Sequence, residues 1–248
     1  MTNYPNITAD DWGMTPAIND GILELARQGT VRRVSMLADS PFVQHRLKEL
    51  LELDSVSLGL HFDLTLKNRK DSQNPFDFGR ATKLILNPLV SSEKKSQIFE
   101  KEALRQIEVL KKLGVFLNYL DGHQHLHLLP FAARGIARAM KKAQIEKVRN
   151  PYSKALWKTP KFPINLLAVL GIRPYRRQGI DSYACRYPQQ ESFASPEALK
   201  RFLEEAPDAE VIVHPALKDD FVEVGCQDSY REGRIREYLA LSNLKGRK

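Results

Sequence analysis

Seven short runs of β-branched or alternating apolar residues recur along the chain, at 4–9, 31–37, 56–62, 117–120, 145–148, 182–187 and 210–213. Between most of them the apolar positions repeat every three to four residues, the period of an amphipathic helix. The first such segment opens at Thr15-Pro16, a capping side chain followed by proline at the first helical position. Ile18, Ile22, Leu25 and Ala26 form its buried stripe, and Gly29 stands where a helix C-terminus needs glycine. Residues 92–113 read as a long amphipathic helix closed by Gly114, and 130–144 as another. Ser195-Pro196 repeats the cap-plus-proline signature, and 233–244 form a last helix. Two stretches lack clear periodicity, 67–80 and 150–180, the second holding four prolines. Each follows a predicted strand, at the end of the sheet where binding loops of α/β proteins lie.

Strand and helix alternation with short connections calls for parallel pairing, so both sheet faces are covered by helices. About seven strands in 248 residues suit a TIM-like (β/α) barrel, with imperfect closure allowed. An open doubly wound sheet is the alternative. A single domain over 1–248 is expected, because the length fits one large core. Hydrophobic residues at 42% and charged residues at 27% exclude a disordered chain, and no apolar run approaches a membrane span. The opening residues show no secretory signal, and two cysteines cannot make a disulfide framework. Reduced thiols in a cytoplasmic protein are the expectation.

The net charge of +8 is unevenly spread. Residues 134–177 carry twelve Lys or Arg against one acid, Glu146, so this segment is +11 and the remainder −3. Interleaved with Tyr152, Trp157, Phe162 and Tyr175, it could track a nucleic-acid backbone; a solvated helix face is the plainer reading.

Five of the six histidines fall in polar clusters that end predicted strands: His61, the trio His123, His125 and His127, and His214. His45 lies elsewhere, on a predicted helix. Asp10-Asp11 ends the first strand. Neighbouring strand residues face opposite sides, so both aspartates can enter one site only where the chain turns, as Trp12-Gly13 would make it do. In Asp121-Gly-His-Gln-His-Leu-His127 a strand period puts Asp121, His123, His125 and His127 on one face. A helix starting near Gly122 would instead pair His123 with His127 at i and i+4. Either geometry concentrates imidazoles. One Asp and two His with open positions is a recurrent catalytic metal set, and nitrogen donors suit Zn²⁺, Co²⁺, Fe²⁺ or Mn²⁺ better than Mg²⁺. Such an ion lowers the pKa of bound water, a carboxylate such as Asp10 can serve as base, and a histidine such as His214 as acid.

These residues resemble the YdjC-like carbohydrate deacetylases, the ChbG-type family with a hopanoid-associated branch. The resemblance is carried by Thr8-Ala-Asp-Asp-Trp-Gly-Met-Thr-Pro-Ala-Ile-Asn19, Gly59-Leu-His-Phe-Asp-Leu-Thr65, Asp121 through Pro130, His214-Pro-Ala216 and Ser229 through Glu237. It spans nearly the whole chain, with Trp12 where the family commonly has Phe. It implies a seven-stranded TIM-like fold, metal-dependent removal of acetyl from an N-acetylated sugar or oligosaccharide, and a homodimer. Asp11, His61 and His123 would then be the metal ligands and Asp10 the general base, with His125 or His127 competing for the third ligand position. By analogy with the related polysaccharide deacetylases, Arg149 would stand near the catalytic aspartate and His214 would act as acid. The family is usually described with Mg²⁺, whereas the ligand chemistry favours a softer ion such as Zn²⁺. Two other readings remain: another metallohydrolase on the same scaffold, and a basic nucleic-acid-binding protein with a vestigial site.

Overall fold

The computed structural model describes residues 6–64, 82–84, 86–152, 162–205, 209–226 and 228–244. The aperiodic stretch 67–80 lies outside the described residues. Seven strands form: β1 (Ile7–Trp12), β2 (Arg33–Met36), β3 (Ser57–Phe62), β4 (Leu117–Gly122), β5 (Lys147–Asn150), β6 (Asp181–Arg186) and β7 (Glu210–Val213). They close in chain order into a barrel, with β1 hydrogen-bonded to both β2 and β7. The pairing is parallel, for example Val148↔Ser182 between β5 and β6 and Cys185↔Glu210 between β6 and β7. Closure disposes of the open-sheet alternative and leaves no sheet edge to protect.

The chain divides into two compact units, 1–58 with 185–248, and 59–184. Both divisions fall inside a strand, β3 and β6.

In the first unit, α1 (Pro16–Arg27) starts as its sequence dictates, with the Thr15 hydroxyl accepting from Ile18 N–H. The predicted stripe of Ile18, Ile22, Leu25 and Ala26 is buried. A short α2 (Leu47–Leu51) follows β2. His45 is not helical: it lies in the turns before α2, with Nε2 2.9 Å from Asp20 Oδ1. α6 (Pro196–Glu204) begins at Ser195, which caps Ala198 N–H. α7 (Arg231–Ser242) starts two residues before the expected Gly233, and it buries two charged side chains, Arg234 and Glu237.

In the second unit, α3 (Ser92–Lys112) packs on α4 (Pro130–Ala143). Phe99, Ala103, Ile107 and Leu110 of α3, and Ala132, Ala133, Ile136, Ala137 and Met140 of α4, are buried. Gly135 lets the helix backbones touch, since a Cβ there would stand 2.1 Å from the Ser96 carbonyl oxygen. The stretch 150–180 is not all loop. It holds α5 (Phe162–Arg177), with Ala168, Ile172 and Tyr175 buried. Exposed Phe162, Leu166 and Leu170, with Pro174 inside the helix, hid that face from the periodicity.

Among the described residues no helix is long and apolar enough to cross a membrane, and Cys185 and Cys226 are free thiols.

Candidate metal centre

The candidate residues lie at or just beyond the carboxyl halves of strands, where barrel enzymes keep their sites. Asp10 and Asp11 sit within β1 rather than at a turn after it. The break that frees their side chains from strict alternation is Asp11 itself. Its φ is +71°, in the left-handed region, and the β1–β2 register shifts between Ala9 and Trp12. Aspartate tolerates this conformation better than most residues, and strained positions of this kind concentrate at functional sites. Both aspartates are buried.

In the first unit, Asp10 Oδ2 stands 3.9 Å from His214 Nε2, an ion-pair distance outside hydrogen-bond range. His214 follows β7 and is half-buried. Its backbone N–H donates to Glu237, whose other carboxylate oxygen accepts from the Tyr230 hydroxyl at 2.8 Å. Burial pushes the Glu237 carboxyl pKa up, and the neighbouring His214 and Tyr230 pull it back. Asp11 Oδ2 accepts from Arg234 at 2.6 Å.

In the second unit, His61 near the end of β3 is buried, with Nδ1 2.5 Å from Asp121 Oδ1. Asp121 Oδ2 meets the Arg149 guanidinium at 2.5 Å, and both residues are buried. With Nδ1 donating to Asp121, the neutral ring of His61 has its lone pair on Nε2, the atom that stands 3.3 Å from His123 Nδ1. Arg149 therefore pairs with Asp121, to which the sequence assigned no separate role.

The His-rich run forms neither a strand ladder nor an α-helical i, i+4 pair. β4 ends at Gly122, and His123–Leu128 form tight 3-10 turns broken by left-handed Gln124 and His125. The trio thus splits. His123 turns toward His61, while His127 folds back over Gly122, where a Cβ would meet its Nδ1 at 2.8 Å. His127 is buried, its Nε2 bonded to the Arg149 carbonyl oxygen at 3.0 Å, and its own carbonyl accepts from Tyr175. Burial first, and His125 second, push its pKa down to about 3. Burial thus disfavours its charged form. Of the trio, it is His123 whose ring stands by His61 and falls in a group with Asp11 and His61.

One ligand atom from each of Asp11, His61 and His123 lies within 4.8 Å of the others; Asp10, His61 and Asp121 form a second such group. The first set suits an ion better, because Asp121 already has one oxygen on His61 and the other on Arg149. His61 Nε2 and His123 Nδ1 stand 3.3 Å apart, within reach of one ion at the usual metal–nitrogen distances of about 2.0–2.1 Å. The Asp121–His61 contact is the carboxylate–histidine arrangement that orients a metal-bound imidazole. Donor types, spacing and outer support all fit a divalent cation.

The basic segment is partly spent on internal pairs. Arg138 bonds Glu100 and Glu93, Lys142 bonds Glu100, and Arg149 is buried against Asp121.

A closed parallel barrel with an Asp/His cluster able to take a metal ion defines the class of protein this is. Within that class the chain belongs to the YdjC-like family, whose model it matches over residues 6–247. It is 24% identical over 234 residues to a carbohydrate deacetylase of Vibrio cholerae, covering 87% of this chain and 79% of the relative. A carbohydrate deacetylase of Geobacillus stearothermophilus is 24% identical over 255 residues, covering 98% and 91%. Among solved structures, an Enterococcus faecalis protein described as a candidate for cellobiose-phosphate cleavage superposes with a TM-score of 0.66 at 21% identity, over 96% of this chain and 90% of its own. At that identity the likeness speaks for the fold.

Proposed function

We propose that this chain is a metal-dependent carbohydrate deacetylase, hydrolysing the N-acetyl group of an amino sugar or oligosaccharide. The observation that carries the reading is the meeting of Asp11, His61 and His123 donors beside the Asp10–His214 pair. Family membership, and relatives named as carbohydrate deacetylases, supply the substrate class.

Asp11, His61 and His123 would hold the ion. When bound, it supplies Lewis acidity and lowers the pKa of a water toward about 7. Asp10 accepts a proton from the water that attacks the acetyl carbonyl. His214 delivers a proton from Nε2 to the departing sugar amine. The 3.9 Å between Asp10 Oδ2 and His214 Nε2 keeps the two groups beside one reacting carbon. Glu237, with Tyr230, fixes the backbone from which His214 projects. Asp121 and Arg149 position rather than react: Asp121 locks His61 in the tautomer with its lone pair on Nε2, and Arg149 compensates the buried carboxylate. The nitrogen-rich donor set favours Zn²⁺ or a similar ion over Mg²⁺.

The test is acetate release from short N-acetylglucosamine oligomers. His61→Ala and His123→Ala should each abolish turnover while leaving the far-UV circular dichroism unchanged. Wild-type turnover in either variant contradicts the reading, and phosphate released from phosphoesters in place of acetate would move it to another hydrolase class.

A further inference from the structure

Arg234 of α7 is buried, which is rare for arginine unless its charge is fully paired. Its guanidinium serves oxygen acceptors on three residues that are distant from one another in sequence, and Nη2 also reaches Met14 Sδ at 3.6 Å. Nη2 donates to Asp11 Oδ2 at 2.6 Å, Nε to Asp228 Oδ2 at 2.5 Å, and Nη1 reaches the His214 carbonyl oxygen at 3.5 Å. Asp11 is also the left-handed residue of β1, so extended strand geometry does not set where its carboxylate points. A side chain in a strained backbone keeps one direction only if its surroundings over-determine it. Arg234 is a partner that holds Asp11 by one oxygen here.

We propose that Arg234 is a positioning residue for the metal centre: it holds Asp11 by Oδ2, restricts that carboxylate to one-oxygen ligation, and is itself anchored by Asp228. The proposal rests on the reading of Asp11 as a metal ligand. A carboxylate can bind a cation through one oxygen or both, and a guanidinium N–H on Oδ2 reserves that oxygen. Two donors in a rigid fork are needed to reach Asp11 and Asp228 at once. Lysine keeps the charge but is a point donor, so exchanging Arg for Lys separates geometry from charge.

The experiment uses the full chain stripped of metal and titrated with Co²⁺. Affinity is read by chelator competition, coordination by the visible absorption of the bound ion, and folding by circular dichroism. Arg234→Lys should bind Co²⁺ about 10–100-fold more weakly, as loss of an outer partner does. Its visible band should also weaken, as Asp11 brings its second oxygen to the ion and raises the coordination number. Asp228→Ala, which leaves Arg234 on Asp11 without its anchor, should weaken binding by a smaller factor, about threefold or more. A folded Arg234→Lys protein with affinity within about twofold of wild type and an unchanged band overturns the proposal. Should that variant not fold, unchanged affinity in Asp228→Ala overturns it instead. In either case loss of Co²⁺ binding by His61→Ala leaves the metal centre standing. Full Co²⁺ binding by both Asp11→Asn and His61→Ala would remove the metal centre, and this proposal with it.

Discussion

His127 gives the account a clean thermodynamic handle. Its Nε2 faces the Arg149 carbonyl oxygen at 3.0 Å, and a carbonyl only accepts, so Nε2 carries a hydrogen, while burial disfavours a second proton on the ring. Its pKa falls from the ordinary 6.5 to about 3 in the folded protein, chiefly because burial disfavours the charged form. Between those values the unfolded chain holds one proton more than the folded chain, so stability falls as pH drops. At pH 8 neither state is protonated at this ring. At pH 5 the unfolded ring is about 1.5 units below its pKa and mostly charged while the folded ring stays neutral, a loss of about 2 kcal/mol. Any folded value below about 4 gives nearly the same figure, because the folded ring is then neutral at pH 5 in every case. His127→Gln retains an N–H for the Arg149 carbonyl and cannot titrate. Urea unfolding of metal-free protein at pH 8 and pH 5 should therefore show wild type losing about 2 kcal/mol more than His127→Gln over that interval. Equal pH sensitivity in the two proteins would mean that His127 is not held neutral, and the structural role given to it would be wrong.

Asp121→Asn should weaken divalent-metal binding by about 10–100-fold in a chelator competition, since it strips His61 of its carboxylate and leaves Arg149 facing an amide. Unchanged affinity would show that Asp121 does not orient the ligand. Gly135→Ala places a methyl 2.1 Å from the Ser96 carbonyl oxygen and 2.7 Å from the Glu100 amide nitrogen, both backbone atoms that cannot swing away. It should cost about 1–3 kcal/mol in unfolding experiments, and a loss below about 0.5 kcal/mol would contradict the close α3–α4 contact.

Much of the barrel was legible because its determinants are local. Thr15-Pro16 and Ser195-Pro196 announce their helices through one side chain and one ring, and the caps bond as expected. The seven strands stand within a few residues of the seven apolar runs. What escaped was set by tertiary context. The turn expected at Trp12-Gly13 is preceded by a left-handed Asp11, which no propensity foretells. Left-handed Gln124 and His125 took the His run out of both regular periods, so His123 and His127 parted company although spacing allowed them to pair. Asp121 was visible in the cluster, but its task depends on His61, 60 residues earlier. Arg234 and Glu237 stand in a block that carried the family resemblance, with no role assigned to either. Their burial follows from partners as far as 223 residues away, and a pair of charged residues three apart on an otherwise apolar helix face was the available hint.

The central claim is that Asp11, His61 and His123 share one cation, and elemental analysis of metal per chain tests it most directly. Wild-type protein reloaded with Zn²⁺ and dialysed free of excess should retain one equivalent, and Asp11→Asn, His61→Ala and His123→Ala should each retain far less. Three folded variants that all keep a full equivalent would contradict the account.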